Sequence, residues 1–214
     1  MLDSHGFDLW SDRYDASVKQ ASESNEYPFA GYSALMNAIY GTIMRRSPAK
    51  VLDIGFGTAL LTAKLYDEGH HITGIDFSDE MLKIASAKMP AAHLLKWDFS
   101  NGVPPALGGQ PFDFIVSTYA LHHLRDDAKV DFILSLLELL APEGLILIGD
   151  VCFTTRAALL SCKEACGDEW DDEEVYFVFS ELQERLEPVC QLAYHEFSFC
   201  AGVIEIAKRP ERLT

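Results

Sequence analysis

The stretch Lys50-Val-Leu-Asp-Ile-Gly-Phe-Gly-Thr-Ala59 constrains the fold of this chain more than any other. Val51, Leu52 and Ile54 favour a strand, and two glycines, Gly55 and Gly57, follow them directly. The run from Thr58 to Glu68 then reads as a helix. A buried strand that turns through glycines into a helix brings backbone N–H groups and a helix N-terminus beside a ligand. A second strand-like run, His71 to Phe77, carries Asp76 near its end, where a carboxylate can accept hydrogen bonds from a ribose. These features imply a nucleotide-like ligand without selecting one.

The rest of the chain repeats the alternation. Strand-like runs are Lys50 to Phe56, His71 to Phe77, Ala92 to Phe99, Phe112 to Tyr119 and Gly144 to Phe153. Helical runs between them are Thr58 to Glu68, Ser78 to Met89 (with Ser78 as N-cap and acidic residues in the first turn) and Asp126 to Leu140. The Pro- and Gly-rich segment 101–110 reads as a loop, and Pro142-Glu-Gly144 as a break before the fifth strand. Strand and helix alternating in this way predict a parallel sheet with helices on both faces.

Two helices precede the first strand. Phe7, Trp10, Tyr14 and Val18 recur at helical spacing, and Leu35, Met36, Ile39, Tyr40 and Ile43 form the apolar face of a run from Tyr32 to Arg46. After the fifth strand come a helix from Thr154 to Trp170, an acidic run from Asp168 to Glu174 and a helix from Ser180 to Glu187. The strand-like runs Val189 to Phe199 and Cys200 to Ala207 leave no room for a crossover, so they pair antiparallel.

Composition narrows the function. With 17 Lys and Arg against 33 Asp and Glu, the formal net charge is −16, which argues against a nucleic-acid partner. No apolar run is long enough to span a membrane, and the first residues lack a basic segment followed by an apolar one. The five cysteines, Cys152, Cys162, Cys166, Cys190 and Cys200, have no CxxC spacing, which fits reduced thiols in a cytoplasmic protein and predicts no metal site.

A dinucleotide site has the fingerprint GxGxxG, but Leu60 stands where its third glycine belongs. S-adenosylmethionine instead needs close backbone approach at one or two glycines and an acidic group for its amino-acid tail, and Asp53 can be that group. The stretch Val51-Leu-Asp-Ile-Gly-Phe-Gly-Thr resembles the first motif of class I S-adenosylmethionine-dependent methyltransferases. Gly74-Ile-Asp76-Phe-Ser, Lys96-Trp-Asp98-Phe and Phe112 to Leu124 resemble later motifs in the same order.

The resemblance implies a Rossmann-like α/β fold with a seven-stranded, mostly parallel sheet, a C-terminal antiparallel hairpin and an N-terminal helical cap. It implies one domain, with a cap (1–48), a cofactor-binding core (49–153), lid helices (154–188) and the hairpin (189–208). It further implies methyl transfer to a small-molecule acceptor. The site residues it implies are Gly55 and Gly57 near the methionine moiety, Asp53 at its tail, Asp76 at the ribose, Asp98 at the adenine amino group and Tyr14 reaching over from the cap. The family often has glycine where Ala59 stands, and a methyl group there narrows the approach little.

Several of these residues have a second reading. Phe77 either stacks on adenine or fills the core, Asp76 can cap a helix, and Asp98 can hold a turn. His122 and His123 either accept a proton from the acceptor or cap the next helix and line the pocket, and Tyr119 shares that ambiguity. The acidic run is either a solvated face or part of a lid that disfavours anions. Two other functions remain open on sequence: a non-catalytic binder of the same nucleotide, and an NAD-dependent oxidoreductase, against which Leu60 counts.

Overall fold

The computed structural model of the protein describes residues 26–109 and 111–210. The amphipathic run Phe7 to Gln20, with Tyr14, lies outside them. Alternating strands and helices follow in chain order: α1 (Tyr32–Met44), β1 (Lys50–Ile54), α2 (Leu60–Asp67), β2 (His71–Asp76), α3 (Asp79–Lys88), β3 (His93–Lys96), β4 (Phe112–Thr118), α4 (Asp126–Leu139) and β5 (Leu140–Phe153). The chain continues through α5 (Arg156–Cys166), β6 (Phe177–Val178), α6 (Phe179–Leu186), β7 (Cys190–Glu196) and β8 (Ala201–Lys208).

The main sheet runs β3-β2-β1-β4-β5-β8-β7. Strands β1 to β5 are parallel, whereas β8 is antiparallel to both neighbours, pairing Ile148 with Ile204 on one side and Tyr194 with Ile204 on the other. The expected hairpin therefore closes one edge of a seven-stranded sheet. Side chains of successive strand residues point to opposite faces, which builds two apolar layers. Val51, Val116, Leu147 and Val151 pack with α1, α2, α3 and α5, while Leu52, Ile54, Ile115, Ile146 and Ile148 pack with α4 and α6.

Three local expectations are corrected. Pro142-Glu-Gly144 does not precede the fifth strand but sits inside β5, as an irregularity that shifts the register between Phe112↔Leu140 and Phe114↔Leu145. Ladder pairing on both sides of the bulge holds the strand together. The helix expected to reach Trp170 ends at Cys166, because Gly167 turns to φ 53° and starts a separate 3-10 turn. The segment before α6 also adds a two-residue strand, β6, which pairs with Cys152 and Phe153 of β5. Part of the loop at 101–110 is made of the 3-10 turns Phe99–Asn101 and Pro105–Leu107.

Helix α1 lies directly on the sheet through Leu35, Ile39 and Ile43, all buried. Its approach requires Gly149 on β5, since a Cβ there would stand 2.5 Å from Leu35 Cδ2 and 2.8 Å from Ile39 Cδ1. Among the described residues no helix is long and apolar enough to cross a membrane. Gly149→Ala is expected to lower the free energy of unfolding by about 1–3 kcal/mol through overpacking. Urea titration followed by circular dichroism measures this; an unchanged midpoint would show that α1 is not seated there.

Candidate functional site

Strands β1 and β4 are neighbours whose onward connections run in opposite directions, β1 to β2 and β4 to β5. At such a switch point the loops after the strands diverge and leave a crevice at the carboxyl ends. Here that crevice is a cleft open to solvent. Its walls come from Asp53 and the loop after β1, Asp76 and Phe77 after β2, Phe99 after β3, and Thr118 to Ala120 with His123 after β4. Tyr32 and Met36 of α1 cover it.

The loop after β1 holds its shape through backbone geometry. Gly55 has φ 70° and Gly57 φ 53°, conformations that favour glycine. A Cβ on Gly55 would lie 2.7 Å from the Ala120 methyl, so the loops after β1 and β4 touch only because this residue lacks one. The Gly55 N–H donates to the Ile75 carbonyl at 2.8 Å, and Lys88 Nζ donates to the Thr58 carbonyl at 2.7 Å. Ala59 also has a left-handed φ of 58°, which explains why glycine suits that position in the related motif. It precedes α2, whose first turn receives no side-chain cap.

Two carboxylates end the central strands. Asp53 is 3 % exposed; its Oδ2 accepts the Thr62 hydroxyl at 3.0 Å, while its buried Oδ1 accepts no hydrogen bond. Burial pushes its pKa up to about 7, with the Thr62 hydrogen bond opposing and the nearby Asp76 charge adding. Asp76 is better satisfied: Oδ2 accepts the Gly57 N–H and Oδ1 the Ser78 N–H, both at 2.9 Å. It thus ties the glycine loop to the start of α3, where Ser78 caps the Met81 N–H at 3.2 Å. Phe77, Met81 and Phe99 form an apolar wall beside it.

Asp98 is placed differently. It is exposed, accepts the Ser100 N–H at 2.9 Å as the cap of a 3-10 turn, and does not line the cleft, although the adjoining Phe99 does.

Beyond β4 the wall becomes aromatic and polar. Tyr119, at φ 49°, packs against Phe29 (ring centroids 5.3 Å apart) and Tyr32 (5.2 Å). A left-handed φ at a bulky residue is strained and is a common feature of ligand sites. His123 lines the cleft, and burial, reinforced by His122, pulls its pKa down to about 4. His122 lies behind it, with Nδ1 2.7 Å from Asp150 Oδ1 and Nε2 3.4 Å from Glu174 Oε1. Burial works against a charge on His122, yet the two carboxylates outweigh it and raise its pKa.

The sequence reading did not single out Asp150, Tyr176, Thr62 or Trp170. It met Glu174 only as the last member of the acidic run, although the apolar Val175-Tyr176 that follow mark where the run turns inward. Tyr176 is buried and hydrogen-bonds Tyr27, which stacks on Trp170 at 5.4 Å. Asp172 pairs with Lys163, and Asp171 Oδ1 accepts the Glu173 N–H at 2.7 Å, so much of the run is occupied locally. Cys162 and Cys166 share a helix face as expected, with sulfurs 3.8 Å apart.

Comparison with known proteins decides the family. A methyltransferase-domain model matches residues 51–144. An uncharacterized methyltransferase of Oceanobacillus iheyensis is 38% identical over 152 residues, covering 71% of this chain and 68% of that protein. The chain belongs to the class I S-adenosylmethionine-dependent methyltransferases. Another relative, an uncharacterized methyltransferase of Staphylococcus carnosus, is 30% identical over 181 residues, or 83% of this chain and 79% of that one. Among solved structures, DhpI in complex with SAH superposes with a TM-score of 0.68 at 18% identity, over 97% of this chain and 96% of that one. Magnesium protoporphyrin IX methyltransferase of Synechocystis, with bound SAH, gives 0.64 at 15% identity, over 84% of each chain. At those identities the likeness is one of fold. This methyltransferase uses S-adenosylmethionine as its methyl donor.

The half-satisfied Asp53 makes the stability of the ligand-free methyltransferase pH-dependent. Its folded pKa, about 7, lies above the ordinary aspartate value of about 3.9, so its contribution is fully present below about pH 4 and is lost as the pH rises through 7. Each pH unit in that window is worth up to ~1.4 kcal/mol. Asp53→Asn is therefore expected to gain stability relative to wild type on going from pH 5 to pH 8 in paired urea titrations. Parallel curves at both values would refute the assignment.

Proposed function

We propose that this methyltransferase transfers the methyl group of S-adenosylmethionine to a small-molecule acceptor, with the cofactor in the cleft at the ends of β1, β2 and β4. The observation that carries this reading is the buried Asp53 Oδ1, an acceptor without a donor. A cationic ammonium group is the partner such an oxygen lacks, and the amino-acid tail of the cofactor has one. The Gly55–Gly57 loop would take the methionine moiety, since a Cβ on Gly57 would meet only open space. Asp76 would accept the ribose hydroxyls, because its carboxylate stands at the end of β2 on the cleft wall and is held there by the Gly57 and Ser78 N–H groups. Phe77, Met81 and Phe99 would hold the adenine, with Asp98 at the rim for its amino group.

The bound cofactor supplies an electrophilic methyl on a sulfonium sulfur. The chain's own part is to align the acceptor with that methyl and to exclude water. Tyr119, Tyr32 and His123 form the acceptor wall, and His122 fixes His123 from behind. An enclosed aromatic wall and a net charge of −16 favour a small neutral or cationic acceptor over a polyanion. In this reading the cap (1–48), core (49–153), lid (154–188) and hairpin (189–208) form one domain.

Isothermal titration with S-adenosylhomocysteine tests the cofactor site. One equivalent should bind, and affinity should rise with pH between about 5.5 and 7.5, because Asp53 must ionise to pair with the ammonium; at pH 6 the weakening relative to the plateau is about tenfold. Asp53→Asn should bind at least tenfold more weakly and lose this pH dependence. Binding by the wild type that is flat with pH would remove Asp53 from the site.

A further inference from the structure

We infer that His122, His123 and Glu174 form a site for one divalent transition-metal ion of the zinc type at the acceptor end of the cleft. Its location relies on the reading of the cleft given above; metal binding itself does not. One potential ligand atom from each of the three residues lies within 4.8 Å of the others. In a tetrahedral shell with bonds of about 2.1 Å, ligand atoms stand roughly 3.4 Å apart. His122 Nε2 and Glu174 Oε1 are already at that separation, 3.4 Å. A small movement of the partly buried His123 ring would complete the set.

The surroundings are those of a metal site. His122 Nδ1 donates to Asp150 Oδ1 at 2.7 Å, and Asp150, 1 % exposed, is itself held by the Val151 N–H at 2.8 Å. That bond assigns the proton to Nδ1 and leaves the Nε2 lone pair directed at Glu174, the outer-shell pattern usual for ligating histidines. The Tyr176 hydroxyl lies in the field of Glu174 and bonds Tyr27. The His122 carbonyl accepts the Val175 N–H at 2.9 Å, so the segments carrying the ligands are also joined through the backbone. Lys129, the nearby buried cation, directs its Nζ to Asp126 Oδ1 at 3.1 Å and to the Val175 carbonyl.

A donor set of two imidazoles and a carboxylate suits Zn²⁺, and three protein ligands leave a fourth position. Because His123 lines the cleft, that position faces the acceptor. The acceptor class it would take is a metal-coordinating hydroxyl or thiol, whose proton a bound cation makes easier to remove.

The test uses the full chain, stripped with a chelator and titrated with Co²⁺ by visible absorption and with Zn²⁺ by calorimetry. One equivalent should bind and give the intense visible band of tetrahedral Co²⁺. Glu174→Gln and His122→Asn should each weaken binding at least tenfold, while S-adenosylhomocysteine binding, measured in parallel, stays at the wild-type level and reports an intact fold. Should His122→Asn fail to fold, Glu174→Gln carries the test alone, since Glu174 lies at the edge of the cluster. Asp168→Asn with Glu169→Gln, which removes exposed charge only, should leave metal binding unchanged. Absence of saturable binding, or equal affinity in wild type and Glu174→Gln, would overturn the site and leave His122 as an imidazolium bridging Asp150 and Glu174. Loss of S-adenosylhomocysteine binding by the wild type would count against the cofactor reading alone.

Discussion

The site depends on the position of β1 between β2 and β4, which carry the chain away from it in opposite directions. That divergence leaves the end of the central strand uncovered, and Asp53 stands there with one oxygen bonded to Thr62 and the other without a donor. Leaving a buried carboxylate half-satisfied costs on the order of 1–3 kcal/mol or more. The surrounding packing outweighs that cost: Val51, Leu52 and Ile54 are fully buried, and the glycine loop is fastened by Asp76, Lys88 and the Ile75 carbonyl. A rigid frame around an unsatisfied polar atom is the arrangement preorganised ligand sites use.

Two different electrostatic environments meet in the cleft. At the β1–β2 end, Asp53 and Asp76 concentrate negative charge near backbone N–H groups. At the far end, His122 and His123 sit close together, their rings 4.3 Å apart, and titrate in opposite directions: burial and the neighbouring His122 dominate at His123, whereas at His122 the Asp150 and Glu174 carboxylates outweigh burial. The aromatic stack of Tyr27, Trp170 and Tyr176 joins the segment before α1 to the acidic segment after α5. This contact turns the last acid of that run, Glu174, inward to the histidine pair, whereas Asp171, Asp172 and Glu173 remain exposed.

Much of the framework was legible because it rests on short-range patterns. The glycine turn, the Ser78 cap and the strand–helix alternation are local rules, and each recurs within a few residues of its expected place. Asp53, Gly55, Gly57, Asp76, Phe77, Tyr119 and His123 all line the cleft, since their positions at strand ends follow from the alternation itself. Asp98 caps the turn after β3, and of the two neighbours it is Phe99 that lines the cleft, a difference set by the turn geometry rather than by any local sequence pattern. The bulge at Pro142 escaped notice because ladder pairing on both sides overrides the local tendency of Pro and Gly to break a strand.

By itself, then, the sequence determined the order of elements, the parallel core and the residues at the strand ends, because hydrophobic period and turn chemistry act over a few neighbours. Only the tertiary structure decided which distant groups share a site. Asp150 meets His122 across 28 positions, and Tyr27 meets Tyr176 across 149. Such pairs leave no local pattern to read, since they are set by how β5, the loop after β4 and the segment before α6 pack together. The uncompensated oxygen of Asp53 is likewise a property of the packed fold, as only burial converts an ordinary strand-end aspartate into an acceptor without a donor.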